Sequence, residues 1–217
     1  MQGPNTVISF QTGSVRGFLH ECSDPASPAL VLTHGAGGNC QATLLVALAN
    51  AFQHAGFRVL RCDLPFRQRK RFGPPAPASA AENRAGLKDA IGEMGALGSA
   101  RVFLGGHSYG GRQASILAAE EPTLAAALLL LSYPLHPPNK PSQLRTDHFP
   151  ALAVPALFVH GTRDPFGSVE EMRTVLDLIP VKAKLVVIKN AGHDLARGAF
   201  DMEGLVVSAF RALAELS

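Results

Sequence analysis

The stretch RVFLGGHSYGGR, residues 101–112, carries the strongest local signal in the chain. Its first half, Arg101–Gly106, is rich in aliphatic and aromatic residues and predicts a buried strand. The run that follows, Gly110–Glu120, is helical in composition and ends before Pro122. Ser108 lies between them in the pattern G-x-S-x-G, which places a nucleophilic serine on a tight strand-to-helix turn above the edge of a sheet. A simple Gly-Ser turn is the alternative interpretation.

The segments on either side of this turn alternate between short strands and longer helices. The predicted strands are Val7–Phe10, Val15–Glu21, Ala29–Thr33, Phe57–Cys62, Arg101–Gly106, Ala125–Leu131, Ala156–His160 and Lys184–Ile188, and the predicted helices are Ala42–Ala55, Ser79–Leu97, Gly110–Glu120, Val169–Leu178 and Met202–Leu216. This alternation predicts an α/β fold, with a mostly parallel twisted sheet and helices on both faces. We expect one domain over residues 1–217, and a capping box formed by Ser79 and Glu82.

A serine hydroxyl needs a base within hydrogen-bond reach to act as a nucleophile at neutral pH. His193 is the best placed histidine, because it follows the last predicted strand and the carboxyl ends of parallel strands converge on one crevice. Asp164 follows the preceding strand and is the expected partner that orients His193. Asp194 is adjacent to His193 in sequence, but neighbours in a loop usually point apart, so we interpret it as a cap or a supporting group.

The motif HGAGG, residues 34–38, follows the strand Ala29–Thr33. Acyl transfer requires hydrogen-bond donors aimed at the developing oxyanion, and the backbone N–H groups of Ala36 and Tyr109 are the expected donors. We expect His34 to brace this loop and His107 to pack below the serine turn. A phosphate-binding loop is the alternative for HGAGG, which however lacks the G-x-G-x-x-G frame.

The motifs HGAGG, GHSYGG, HGTRDP and NAGHD occur in the order typical of the α/β-hydrolase superfamily. The chain resembles its compact, capless members of dienelactone-hydrolase type and, over residues 144–167, the testis-expressed hydrolase-like proteins. This resemblance implies an α/β-hydrolase fold, a triad of Ser108, His193 and Asp164, an oxyanion hole at Ala36 and Tyr109, and neither a metal nor an organic cofactor. Dienelactone hydrolases typically use a cysteine nucleophile, whereas this chain has Ser108.

The connections between strands suggest what surrounds the serine. Only residues 132–154 separate two of the predicted strands, too few for a cap domain. We therefore expect a shallow, open pocket and short acyl groups, with kcat/KM reaching a plateau beyond roughly four to six carbons. Arg67 and Arg112 are candidate contacts for an anionic substrate. The basic run Arg67–Arg71 could equally be a solvated loop, and Arg112 could equally pair with a carboxylate.

Composition excludes several classes of protein. A hydrophobic content of 47% excludes a disordered chain, and the net charge of +3 depends on the single basic run, so no nucleic-acid-binding face is expected. No apolar run approaches the roughly 20 residues of a membrane span, and the N-terminus lacks the features of a signal peptide. The three cysteines are too widely spaced for a disulfide framework or a zinc site, and we expect Cys40 to be a buried thiol.

These observations predict a cytoplasmic serine hydrolase, an esterase or thioesterase acting on small acyl substrates. Amides, lactones and peptides remain open as substrates, because the same triad serves all of these reactions. The oligomeric state also remains open. The alternative is an interaction module that keeps the hydrolase scaffold without turnover. The complete set of three candidate triad residues argues against that alternative.

Overall fold

The computed structural model describes residues 6–195 and 201–216. They contain one eight-stranded sheet with the spatial order β1-β2-β4-β3-β5-β6-β7-β8. Its strands are β1 (Val7–Thr12), β2 (Val15–His20), β3 (Ala29–Thr33), β4 (Arg58–Cys62), β5 (Val102–His107), β6 (Leu128–Leu131), β7 (Ala156–Gly161) and β8 (Ala183–Ile188). β2 is antiparallel to both of its neighbours, and the pairs from β4 to β8 are parallel. The predicted α/β fold with a mostly parallel sheet is confirmed.

The helices follow the predicted alternation, with one addition. They are α1 (Thr43–His54), α2 (Pro65–Arg69), α3 (Ala80–Ala96), α4 (Tyr109–Glu120), α5 (Val169–Leu176) and α6 (Ser208–Leu213), with a π-helical segment, Met202–Val207, leading into α6. The short helix α2 was not predicted, although Pro65 occupies its first turn, where proline is favoured. Within residues 6–195 and 201–216, every helix is too short or too polar to cross a lipid bilayer.

The core lies on both faces of the sheet, because successive side chains of a strand point to opposite sides. On one face, Leu30 and Leu32 of β3 pack with residues of α1 and α6, including Phe210. On the other face, Val31 belongs to a core cluster that includes residues of α3, α4 and α5. All five residues of β3 are buried. The sheet is therefore covered on both sides, as its parallel pairing requires.

The predicted capping box at Ser79 is wrong. A short 3₁₀ turn, Pro77–Ser79, precedes α3, so Ser79 already has helical dihedral angles instead of the extended ones of an N-cap. Its hydroxyl donates to the carbonyl of Ala76, and Glu82 pairs with Arg69.

The direction in which the chain adds strands reverses at β3. From β3 the chain passes to β4 on one side and then to β5 on the other. A crevice forms outside the carboxyl ends of the strands at such a point, and ligands of open α/β sheets bind there. The loop after β3 and the turn after β5 both face it. Between β6 and β7, residues 132–155 contain one 3₁₀ turn, Phe149–Ala151, and no cap domain.

Two backbone segments touch at this crevice. A Cβ atom added to Gly110, at the start of α4, would lie 2.5 Å from the carbonyl oxygen of His34. A contact shorter than 3.0 Å to backbone cannot be relieved by a side-chain rotation. The start of α4 therefore approaches the loop after β3 as closely as it does because residue 110 has no side chain.

This contact predicts opposite effects for two glycine-to-alanine substitutions in helices. Gly110→Ala should lower the free energy of unfolding by about 1–3 kcal/mol, because the methyl group overpacks the contact with His34. Gly92→Ala in α3, where an added Cβ meets no atom within 4 Å, should raise it by about 0.5–1 kcal/mol. Urea denaturation of the two variants and the wild type measures both effects. Equal stability of the two variants would show that the approach at Gly110 is not tight.

Candidate active site

Ser108 occupies a strained position between β5 and α4. Its φ of 51° and ψ of −116° lie outside the regions that residues with a side chain normally adopt. The backbone is held there from one side by the neighbouring strand, because the N–H of Ser108 donates to the carbonyl of Leu131 at 2.8 Å. Strain of this kind persists only where the surrounding structure enforces it, and it is characteristic of functional sites.

Three side chains from separate loops form one chain of hydrogen bonds. The Ser108 hydroxyl donates to Nε2 of His193 at 2.8 Å. Nδ1–H of His193 donates to the carboxylate of Asp164, at 2.8 Å from Oδ2 and 3.0 Å from Oδ1. The carboxylate is fully buried, whereas His193 is about one-fifth exposed. The structure thus brings together the three residues that the sequence predicts to meet. The single proton on Nδ1 is directed to Asp164 and not to the adjacent Asp194.

The loops that carry the acid and the base touch through their backbones. An added Cβ on Gly161, the last residue of β7, would lie 2.4 Å from the carbonyl oxygen of Ala191. The same carbonyl accepts a hydrogen bond from the N–H of Arg163 at 2.9 Å, and the N–H of Asn190 donates to Oγ1 of Thr162 at 2.9 Å. These contacts set the separation between Asp164 and His193 independently of the hydrogen bond between their side chains.

Two residues that the sequence analysis did not select complete the surroundings of this pair. The N–H of Phe166 donates to Oδ1 of Asp164 at 2.9 Å, and the ring of Phe166 stacks on His193 with centroids 4.2 Å apart. His160 is fully buried, and its Nε2–H donates to the carbonyl of Gly167 at 2.8 Å. Its Nδ1 has no hydrogen-bond partner and faces Oδ2 of Asp164 at 3.9 Å.

His107 supports the base through a hydrogen bond to its backbone. Its Nε2–H donates to the carbonyl of His193 at 2.7 Å. Burial lowers the pKa of His107, so the ring is held in its neutral form. His107 therefore fixes the backbone of the residue that contacts Ser108.

The loop after β3 is braced by His34. Nδ1–H of His34 donates to the carbonyl of Gly35 at 2.8 Å, and Nε2 accepts from the N–H of Leu64 at 3.2 Å. Burial lowers the pKa of His34, which favours this neutral form. The loop carrying Ala36 is thus tied to the segment that follows β4.

Tyr109, the other predicted donor of the oxyanion hole, is the first residue of α4. The first N–H groups of a helix have no acceptor within the helix. The Tyr109 hydroxyl accepts a hydrogen bond from Nδ2 of Asn83 at 2.9 Å, and Oδ1 of Asn83 accepts from the N–H of Phe66. Asn83 is fully buried and connects α2, α3 and α4. It shares a face of α3 with Leu87, and a polar residue within an apolar stripe was the available signal.

Arg67 occupies a different place from the one predicted. It lies in α2, is only 6% exposed, and donates to the carbonyls of Ala36, Lys70 and Gly73, each at 2.9 Å. Its guanidinium therefore fixes the loop at residues 34–38, and the binding role predicted for an anionic substrate does not fit this geometry. The sequence could not reveal this, because a basic run reads the same whether its members are buried or solvated.

Arg112 also lies away from the cavity beside Ser108. It is partly buried near Tyr133, Arg145 and His148, and its positive charge, together with the larger effect of burial, lowers the pKa of His148 to about 4. Among the residues that the structure describes, Arg112 does not line this cavity, so the predicted contact with an anionic substrate does not fit its position.

The predicted burial of Cys40 is observed, and burial raises the pKa of its thiol to about 12.

A cavity of about 770 Å³ opens beside Ser108. The loop at residues 34–38 and the start of α1 line it, together with Phe166, Leu195 and Met202. Its volume lies within the range of pockets that bind drug-sized molecules. Within the part of the chain that the structure describes, no cluster of three or more His, Cys, Asp or Glu side chains is arranged to hold a metal ion.

Comparison with known proteins agrees with this architecture. The model of a family described as "Alpha/beta hydrolase domain" matches residues 26–204. A dienelactone hydrolase from Anabaena variabilis superposes with a TM-score of 0.70 and 20% identity, covering 100% of this chain and 96% of that one. Est1E from Butyrivibrio proteoclasticus with bound ferulic acid superposes with a TM-score of 0.74 and 17% identity, covering 96% of each chain. At these identities the likeness establishes the fold.

Curated relatives match a shorter part of the chain. A putative carboxymethylenebutenolidase from Salmonella typhimurium is 36% identical over an alignment of 101 residues, and the alignment covers 43% of this chain. A protein of the same description from Escherichia coli is 35% identical over a match of the same length. In both cases the match spans 36% of the relative's own length.

The position of Arg67 predicts a structural role that can be measured. Arg67→Met should lower the free energy of unfolding by about 1.5–3 kcal/mol, because charge-assisted hydrogen bonds to three carbonyls are lost. Arg71→Met is the matched control on the exposed part of the same run and should change stability by less than about 0.5 kcal/mol. Urea denaturation at neutral pH distinguishes the two. Equal and small changes in the free energy of unfolding in the two variants would show that Arg67 behaves as a solvated charge.

Proposed function

The chain belongs to the alpha/beta hydrolase domain family, and from this premise we propose that it is a serine hydrolase that cleaves carboxylic esters or thioesters of small molecules through an acyl-enzyme. One observation carries the proposal. Ser108, His193 and Asp164 form a continuous chain of hydrogen bonds with both links at 2.8 Å. This is the arrangement that a nucleophile, a general base and an orienting acid require.

In the first half of the proposed reaction, Oγ of Ser108 attacks the carbonyl carbon of the substrate while Nε2 of His193 accepts the hydroxyl proton. Asp164 keeps the proton of His193 on Nδ1 and stabilises the imidazolium that forms. The N–H groups of Ala36 and Tyr109 are the proposed donors to the oxyanion. Nε2–H then protonates the leaving alcohol or thiol as the bond between carbon and leaving group breaks, and the acyl group remains on Ser108.

In the second half, a water molecule replaces the leaving group. His193 accepts a proton from this water, which attacks the acyl carbon, and then returns the proton to Oγ of Ser108 as the carboxylic acid departs. The oxyanion forms at the same place in both halves. The same donors therefore stabilise both tetrahedral intermediates, and the residues finish in their starting state.

The relatives support a small-molecule substrate. They include a putative carboxymethylenebutenolidase, a dienelactone hydrolase and Est1E with bound ferulic acid. A small carboxylic ester, lactone or thioester is accordingly the proposed substrate class. A cytoplasmic location is part of the proposal and is supported by the unpaired thiols of Cys22, Cys40 and Cys62.

The test of the nucleophile is covalent labelling. A small fluorophosphonate should react with the wild type at Ser108 and fail to react with Ser108→Ala, which should also lose at least ~10³-fold in kcat on any accepted ester. Ser79→Ala, which removes a hydroxyl outside the lining of the cavity, should label normally. Intact-mass spectrometry reports the adduct. Absence of both labelling and turnover in the wild type would favour the interaction module instead.

The roles of the two aspartates give a second prediction. Asp164→Asn should lower kcat by something approaching ~10⁴-fold, because the amide no longer fixes the proton of His193 on Nδ1. Asp194→Asn makes the same chemical change beside the cavity and should cost far less. Steady-state kinetics with one activated ester compares them. A larger loss in Asp194→Asn than in Asp164→Asn would reverse the assignment of the acid.

A further inference from the structure

We propose that the cavity beside Ser108 binds a neutral, apolar acyl chain of medium length, laid along α1, with Ala47 setting the accepted length. This inference rests on the proposed function, since it names the acyl group that the site would take. It replaces the short acyl groups expected from the sequence. That expectation followed from the missing cap domain, whereas this cavity has walls formed by other elements.

The walls come from two apolar surfaces. On α1 and the residue before it, Ala42, Leu44, Leu45 and Ala47 line the cavity, and Leu195 and Met202 from a later part of the chain also line it. Acyl methylenes that enter between these surfaces leave water. Burial of each methylene strengthens binding by about fourfold, so the walls can favour longer chains over acetate.

The charges of the lining favour a neutral chain. Asp194 contributes a carboxylate to the lining, and His34 and His107 are kept neutral because burial lowers the pKa of each ring. A carboxylate at the far end of an acyl chain would meet apolar side chains that cannot replace its hydration. A terminal methyl group does not incur this penalty.

The small side chains on α1 leave room for the acyl chain. Thr43 and Ala47 both line the cavity, because residues separated by four positions share one face of a helix. Ala47 lies one helical turn farther from the loop at residues 34–38 than Thr43 does. A large side chain at position 47 would therefore occupy cavity space, and the added atoms would enter a void instead of the packed core.

The first experiment measures chain-length dependence with p-nitrophenyl esters from acetate through hexanoate and octanoate to laurate. For the wild type, kcat/KM should rise by up to about fourfold per methylene from acetate to hexanoate. Hexanoate should exceed the mono-p-nitrophenyl ester of adipic acid, which has the same length and a terminal carboxylate, by at least about tenfold. A flat profile, or preference for the adipate monoester, would overturn the proposal.

The second experiment tests Ala47 directly. Ala47→Phe should lower the ratio of kcat/KM for octanoate to that for acetate by at least about tenfold, because the ring displaces several methylenes. Ala81→Phe, at an exposed position of α3 outside the cavity, is the matched control and should leave the ratio unchanged. Equal ratios in Ala47→Phe and the wild type would show that α1 does not set the chain length.

A binding measurement separates failure of this inference from failure of the proposed function. If Ser108 is labelled and acetate is hydrolysed without chain-length preference, only the inference fails. If no ester is hydrolysed, calorimetry with octanamide still tests the cleft, and Ala47→Phe should bind it at least about tenfold more weakly than the wild type. Absence of octanamide binding to the wild type would overturn the apolar cleft independently of catalysis.

Discussion

The close approach of two backbones at Gly110 is the constraint on which the candidate site depends. It sets the start of α4 against the carbonyl of His34 and so fixes Ser108 relative to the loop that carries Ala36. Without this contact, the turn that carries Ser108 and Tyr109 and the loop that carries Ala36 would have no fixed spacing. A positive φ at Ser108 is costly for a residue with a side chain, and this packing is what maintains it.

A second backbone contact, between Gly161 and Ala191, performs the equivalent task for the acid and the base. The positions of Asp164 and His193 thus depend on the sheet and on glycine, and their hydrogen bond adds to a separation that is already set. The contacts at Gly110 and Gly161 lie at the same edge of the sheet. The side chains of Ser108, Asp164 and His193 therefore converge there. The geometry of the proposed triad is therefore a property of the strand ends.

This dependence explains what could be predicted from the sequence. The strands, and the meeting of Ser108, Asp164 and His193, follow from periodicity and from the rule that parallel strands end at one edge. The role of Arg67 could not be predicted, because its three acceptors are backbone carbonyls brought close only by folding. The stacking of Phe166 on His193 likewise depends on a turn whose path the sequence does not reveal.

Buried His34 and partly buried His107 line the cavity beside the proposed nucleophile, and both serve as neutral hydrogen-bonding groups. His107 donates to the backbone of His193, and His34 donates to Gly35 while accepting from Leu64. Burial disfavours a positive charge on either ring, as the lowered pKa of each indicates. His193 differs from both because one of its nitrogens contacts Ser108 and the other contacts a buried carboxylate. Of these three histidines, it is the one placed to take a proton from Ser108.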